Sequence, residues 1–192
     1  MIIRHEREKL FNAIVYFVKN TKYCGKTKLF KLLYFLDFTA FKEFGINVTG
    51  LDYYTWPKGP APISLHNEFK HPSEEFGKRF SVIKYEESDR LNIRPKEGIK
   101  FDPGYFSKGE LQILEQLAYI YKDAQATDMV EITHLRNSPW DKTVNTKGKN
   151  KIIDYILAFD ADNKSLSLEQ YKEIKETREI MDSLLSKCKK AK

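Results

Sequence analysis

Lys26-Thr27-Lys28-Leu29-Phe30-Lys31-Leu32-Leu33-Tyr34-Phe35-Leu36-Asp37-Phe38-Thr39-Ala40-Phe41-Lys42-Glu43-Phe44 is the most apolar stretch of the chain, and its period decides the fold. Placed on a wheel at about 100° per residue, Leu29, Leu33, Leu36 and Ala40 fall on one broad side. Phe30, Phe41 and Phe44 widen that side. Lys28, Lys31 and Lys42 gather nearly opposite, with Thr39 beside them. The pattern predicts a central helix over 26–44 that exposes only a narrow cationic stripe, and Gly45 is placed to stop it. Asp37 is the anomaly, because the wheel sets it among Phe30, Leu33, Ala40, Phe41 and Phe44. An unpaired carboxylate there costs several kcal/mol. Asp37 is therefore either a structural acid held by backbone N–H groups or an arginine, or a functional acid in a cleft.

Working outward, residues 6–19 read as a first helix with Leu10, Phe11, Ile14, Val15, Phe17 and Val18 at helical spacing. On the other side, residues 51–57 read as a strand ending at Pro57. Lys58-Gly59-Pro60-Ala61-Pro62 is a turn by composition, with Pro62 suited to the first position of a short helix through Phe69. Phe80 to Tyr85 alternates like a strand, and Leu91–Ile93 and Ile99–Phe101 are candidate partners around a turn at Pro95–Gly98. Ser107 and Glu110 have capping-box spacing and start a helix to about Lys122. A short helix capped by Thr127 follows and ends near Asn137. Ser138-Pro139-Trp140 restarts the chain, residues 152–158 are a short apolar segment, and a long helix runs from Ser167 to about Lys187. The expected class is α+β, mainly α: a helical domain (1–165) with a small antiparallel sheet inserted between helices, and a C-terminal helix with a basic tail (166–192) packed on it.

Composition narrows the function. The chain has 192 residues and a net charge of +6 from 33 Lys+Arg against 27 Asp+Glu. The excess sits at 142–151 and in Lys187, Lys189, Lys190 and Lys192; such runs are usually solvated, although they can also meet phosphates. Two cysteines, Cys24 and Cys188, make no disulfide framework and fit a reducing cytosol. The charged N-terminus is unlike a signal peptide, and no apolar run approaches the ~20 residues that span a bilayer.

Motifs for chemistry are missing. Gly25-Lys26-Thr27 resembles a fragment of a phosphate-binding loop, but Asn20 stands where that motif needs glycine. His5, His66, His71 and His134 lack metal-ligand spacing. No serine elbow is present, and neither cysteine has a histidine nearby in sequence. Glu74-Glu75 and Glu86-Glu87 read as solvated loop acids. An enzyme would require Asp37 and His134 to meet in an open pocket. No catalytic residue, cofactor or metal is expected. A nucleic-acid-associated regulator using the basic tail, the loop around Lys149 and the Lys28/Lys31/Lys42 stripe is the alternative to a protein-binding module, although no base-reading helix is evident.

Three ordered segments resemble the Panacea, or SocA-like, antitoxin family. Lys28 to Asp37 is similar to its K-L-x-K-L-L-Y-x-x-D helix, with Lys28, Lys31, Leu33, Tyr34 and Asp37 on motif positions. Thr49-Gly50 through Tyr53-Tyr54 to Trp56-Pro57-Lys58-Gly59-Pro60-Ala61-Pro62 resembles its T-G, aromatic strand and G-P-x-P turn. Ile132-Thr133-His134 through Ser138-Pro139-Trp140 resembles a segment near the end of the domain. The resemblance implies a bacterial or phage-borne antitoxin that neutralises a toxin by direct contact. One member instead delivers its toxin to a protease, so a ClpXP-type machine is a further implied partner. Most motif positions, including Gly59, Pro62, His134, Pro139 and Trp140, read as structural. Tyr53, Tyr54, Trp56, Lys58 and Pro60 are the candidate partner contacts, since aromatics and a rigid turn lose little entropy on docking. Period two sets Tyr54 and Trp56 on one face and Tyr53 on the other.

Overall fold

The structure, a computed structural model, describes residues 5–84, 91–159 and 166–190, with backbone alone at Arg178 and at 181–190. Tyr85, Glu86-Glu87 and the side chains of the C-terminal lysines therefore lie outside the described residues. The element order is α1 (Glu6–Asn20), α2 (Lys26–Phe44), β1 (Tyr53–Trp56), β2 (Gly59–Pro62), α3 (Ile63–Lys70), α4 (Glu74–Arg79), β3 (Phe80–Lys84), β4 (Leu91–Pro95), α5 (Lys108–Ile120), α6 (Ala126–Thr133), α7 (Pro139–Lys147) and α8 (Leu168–Lys190). The class is mainly α with two small antiparallel sheets, β1–β2 and β3–β4, where one sheet was expected.

Helix α2 is the axis. Leu29, Leu32, Leu33, Leu36 and Ala40 are fully buried, and α1, α5, α6 and β2 all pack against it. Gly45 closes it in the left-handed region at φ 66°. Ser107 and Glu110 cap α5 reciprocally, and Lys9 on α1 reaches the same carboxylate at 2.6 Å, so one glutamate orders a helix end and ties two helices together.

Of the expected cationic stripe on α2, Lys42 is part-exposed but Lys28 and Lys31 are not. Lys28 is 0% and Lys31 2% exposed, because the α5–α6 turn and the β1–β2 hairpin cover that side. The cover supplies acceptors that helical spacing cannot show. The Lys28 ammonium donates to the carbonyls of Lys22 (2.7 Å), Ala124 (2.7 Å) and Lys122 (3.3 Å), pinning the α1–α2 turn to the α5–α6 turn. Burial outweighs nearby anions and lowers its pKa.

The Gly-Pro-rich stretch, expected to be only a turn, forms strand β2. Its register pairs Tyr53 with Pro62 and Thr55 with Pro60. Tyr53 and Thr55 direct their backbone groups to the other side, where Thr55 bonds Lys151 and Asn150, and Tyr53 accepts from Ile153. Both prolines thus occupy positions where the ladder needs no N–H. Three boundaries also move. Glu74-Glu75 open α4 behind the Ser73 cap and are not loop residues. Ile99–Phe101 forms no strand, since Gly98 (φ 82°) turns the chain away and Phe101 packs on Tyr16. Helix α6 starts behind Gln125, whose N–H donates to Asp128, and not behind Thr127, and it ends at Thr133.

Replacing Lys28 with Met strands up to three buried carbonyls, and should lower the unfolding free energy by about 2–4 kcal/mol in urea titration. Lys58→Met, at the exposed hairpin turn, should change it by less than about 0.5 kcal/mol.

Candidate functional site

Asp37 occupies the centre of the fold and is fully buried. Its carboxylate accepts from the backbone N–H groups of Val48 and Thr49, both at 2.8 Å, from the Tyr53 hydroxyl at 2.7 Å, and from the Thr49 hydroxyl. The loop after α2 and strand β1 are therefore hung from one side chain. Desolvation still outweighs these four donors and raises the carboxyl pKa to about 6. Tyr53 is 0% exposed, its ring packed against Tyr34 and Phe38.

Six residues earlier on α2, Lys31 donates to the Pro60 carbonyl at 2.6 Å, and desolvation lowers its pKa to about 7. Gly59 fits between Lys31 and Thr133: a Cβ there would lie 2.5 Å from the Thr133 hydroxyl and 2.9 Å from the Lys31 ammonium, at φ +85°. The glycine thus lets the hairpin close onto the end of α6.

Trp140, one residue into α7, donates from its indole to the Trp56 carbonyl at 3.3 Å, and His134 stacks on the Trp140 ring at 3.9 Å between centroids. Trp56 meets His66 edge-on at 4.7 Å. The three motif segments are thereby one structural unit. Of the candidate contacts, Tyr53 and Pro60 lie inside it, Tyr54 and Trp56 are half-buried, and Lys58 is exposed. Leu33 and Pro62 are buried, and Pro139 is the first residue of α7.

Beside this unit a groove of about 790 Å³ runs between α2 and the α6–α7 connection. Its α2 wall is Tyr34, Phe35, Phe38, Thr39 and Lys42; the opposite wall runs from Ile132 to Lys142, and Leu157 and Ala158 close one end. Sequence reasoning named Tyr34 and Pro139 as motif positions and Lys42 and Lys142 as basic residues, but nothing in it brought the two walls together. The available signal was Leu135, an aliphatic residue in a polar connection, which the fold leaves 61% exposed.

The arrangement offers little chemistry. Asp37 is sealed, and neither it nor His134 lines the groove, so they do not meet in an open pocket. Burial pushes the Cys24 thiol up to about 11, away from nucleophilic use. Burial also lowers the pKa of His134 and of His66, reinforced by Lys31 and by Lys26 and Lys70 respectively. Among the described residues, no cluster of His, Cys, Asp or Glu could hold a metal ion, and no helix is long and apolar enough to cross a membrane.

Asp37→Ala should cost about 3–5 kcal/mol, because four donors lose their acceptor, and Asp37→Asn clearly less, because the amide oxygen still accepts. The raised pKa means that the native state holds a proton between about pH 4 and 6 which the unfolded chain releases. Wild-type stability relative to Asp37→Asn should therefore fall as pH rises through that window and level off above it. Lys31 behaves oppositely. Its pKa is lowered in the native state, so stability relative to Lys31→Met should rise between about pH 7 and 10.5. Chemical denaturation across pH checks both signs.

No curated protein and no solved structure matches the chain significantly. The family model described as antitoxin SocA-like, Panacea domain, matches residues 29–141, which begin inside α2 and end inside α7 and so contain the hairpin, the Asp37 centre and the groove walls apart from Lys142. That match covers more than half of the 192 residues, and the chain belongs to the SocA-like antitoxin family.

Proposed function

We propose that the chain is the antitoxin of a two-gene system and neutralises its cognate toxin by stoichiometric protein contact. The observation that carries this reading is the match over residues 29–141. The physical organisation supports it. Ionisable groups on the motif are spent on internal bonds, Asp37 to β1 and Lys28 and Lys31 to backbone carbonyls. What remains at the surface is a firm hairpin presenting Tyr54, Trp56 and Lys58, joined through Gly59 and Thr133 to the groove. Pre-ordered aromatic surface of this kind binds without a large ordering penalty.

The nucleic-acid alternative loses two of its phosphate contacts, because Lys28 and Lys31 are buried. The basic residues left to it are Lys42, the 142–151 stretch and the C-terminal tail.

Co-expression with the product of the neighbouring open reading frame tests the proposal. Growth rescue and co-purification at fixed stoichiometry are the expected result; a toxic neighbour that is neither bound nor neutralised would overturn it. Repeating the rescue in a host without ClpXP-type proteases separates two modes. Blocking leaves rescue intact, and delivery for degradation abolishes it.

A further inference from the structure

We infer that two copies of the chain pair edge to edge through the segment 149–154, antiparallel about a two-fold axis at Ile152. The inference goes beyond the antitoxin reading and is tested on the chain alone.

The segment is a third strand beside the β1–β2 hairpin. Its bonds to β1 come at alternate residues: Thr55 donates to the Lys151 carbonyl at 2.9 Å, and Ile153 donates to the Tyr53 carbonyl at 2.8 Å. Ile152 lies between them, opposite Tyr54. In an antiparallel ladder the residue between two bonded positions turns its N–H and C=O away from its neighbour. Ile152 therefore offers one donor and one acceptor at the outer edge, and neither has a partner among the described residues. The residue is 45% exposed. Another strand fits such an edge, because main-chain groups on both sides supply the contact.

Charge selects the occupant. Lys149 and Lys151 precede Ile152 and Asp154 follows it, and all three are exposed. Neither ammonium group has an ion-pair or hydrogen-bond partner among the described residues. Lysines on an edge ordinarily keep other strands away. Antiparallel pairing about Ile152 reverses that effect. It sets Ile152 opposite Ile152 of the second copy and Asn150 opposite Asp154, so each Asp154 faces the interval between the other copy's Lys149 and Lys151. Asp52, also exposed, precedes the β1 residue that Ile153 bonds and adds a carboxylate at the same end. The edge is complementary to itself, as a two-fold interface requires. Parallel pairing in register would instead set lysine against lysine.

The edge is short at both ends. Asn150 is in the left-handed region at φ 57°, and Asp154 accepts from the Ile156 N–H at 3.0 Å to open the turn at 155–158. Two copies use it up, so the assembly closes at a dimer.

Sedimentation equilibrium of the full chain, up to about 500 µM to suit a small interface, tests the inference. The expected result is a monomer–dimer equilibrium that weakens as sodium chloride rises from about 50 to 500 mM. Ile152→Pro removes the outward N–H and leaves the bonds of Lys151 and Ile153 to β1; it should weaken association at least about 10-fold with an unchanged thermal midpoint, whereas Ile152→Val should pair like wild type. Lys149→Glu with Lys151→Glu, and Asp52→Lys with Asp154→Asn, should each lose self-association, and an equal mixture of these two chains should regain it. Lys96→Glu with Lys100→Glu makes the same charge change at exposed positions outside the sheet and should pair like wild type. A wild type that stays monomeric throughout overturns the inference. So does wild-type association in Ile152→Pro or in either charge-altered chain, and so does a mixture that fails to recover. If Ile152→Pro melts early, the mixing experiment decides, because its four positions are exposed. None of these results touches the antitoxin reading.

Discussion

A carboxylate withdrawn from water needs donors, and Asp37 collects four from one loop and one strand. Much else depends on that centre. Val48 and Thr49 must bring their N–H groups to α2, so the loop after Gly45 has little freedom. Tyr53 must point inward, so β1 has one register, and Tyr54 and Trp56 are turned to the other face. Because β1 is held at Tyr53, its backbone can pair with the 150–153 segment on one side and β2 on the other. Lys31, six residues earlier on α2, then catches the Pro60 carbonyl. The two α2 side chains grip the two strands of the hairpin separately, an acid on β1 and an ammonium on β2.

This division explains what could be read from the sequence and what could not. Helix α2 was legible because its apolar residues recur at helical spacing. Asp37 was legible as an anomaly for the same reason, and hydrogen bonding to backbone N–H groups was one of the two readings open for it. Lys28 and Lys31 were misread, because a wheel shows which residues share a side but not what covers that side. Their acceptors come from residues 29 to 96 positions away, apart from Lys22. The hairpin was half legible. Tyr53, Tyr54 and Trp56 alternate as a strand should, but Pro60 and Pro62 disguised β2, since the absence of a proline N–H matters only where the ladder would use one.

The groove shows the sharper limit. Its walls come from segments about a hundred residues apart, α2 and the α6–α7 connection, and nothing in either segment says that the two face each other. A resemblance carried by motif positions leads to residues with fixed partners, such as Asp37, Gly59 and Trp140. It does not lead to Arg136 or Leu135, which face solvent. Motif matching in such a protein therefore finds the scaffold more readily than the surface around it.

The same reasoning links scaffold and surface physically. Thr133 is shared: its hydroxyl bonds the Val130 carbonyl, Gly59 packs on it from the hairpin side, and it lines the groove from the other. A side chain larger than glycine at position 59 would press on both Thr133 and Lys31, moving the hairpin and the groove wall together. The groove's shape is in this way coupled to the α2 clasp without Asp37 or Lys31 lining it. Rigidity at the buried acid and ammonium thus fixes the position of the exposed residues on the α6–α7 connection, since Thr133 cannot shift without disturbing the hairpin that Asp37 and Lys31 hold.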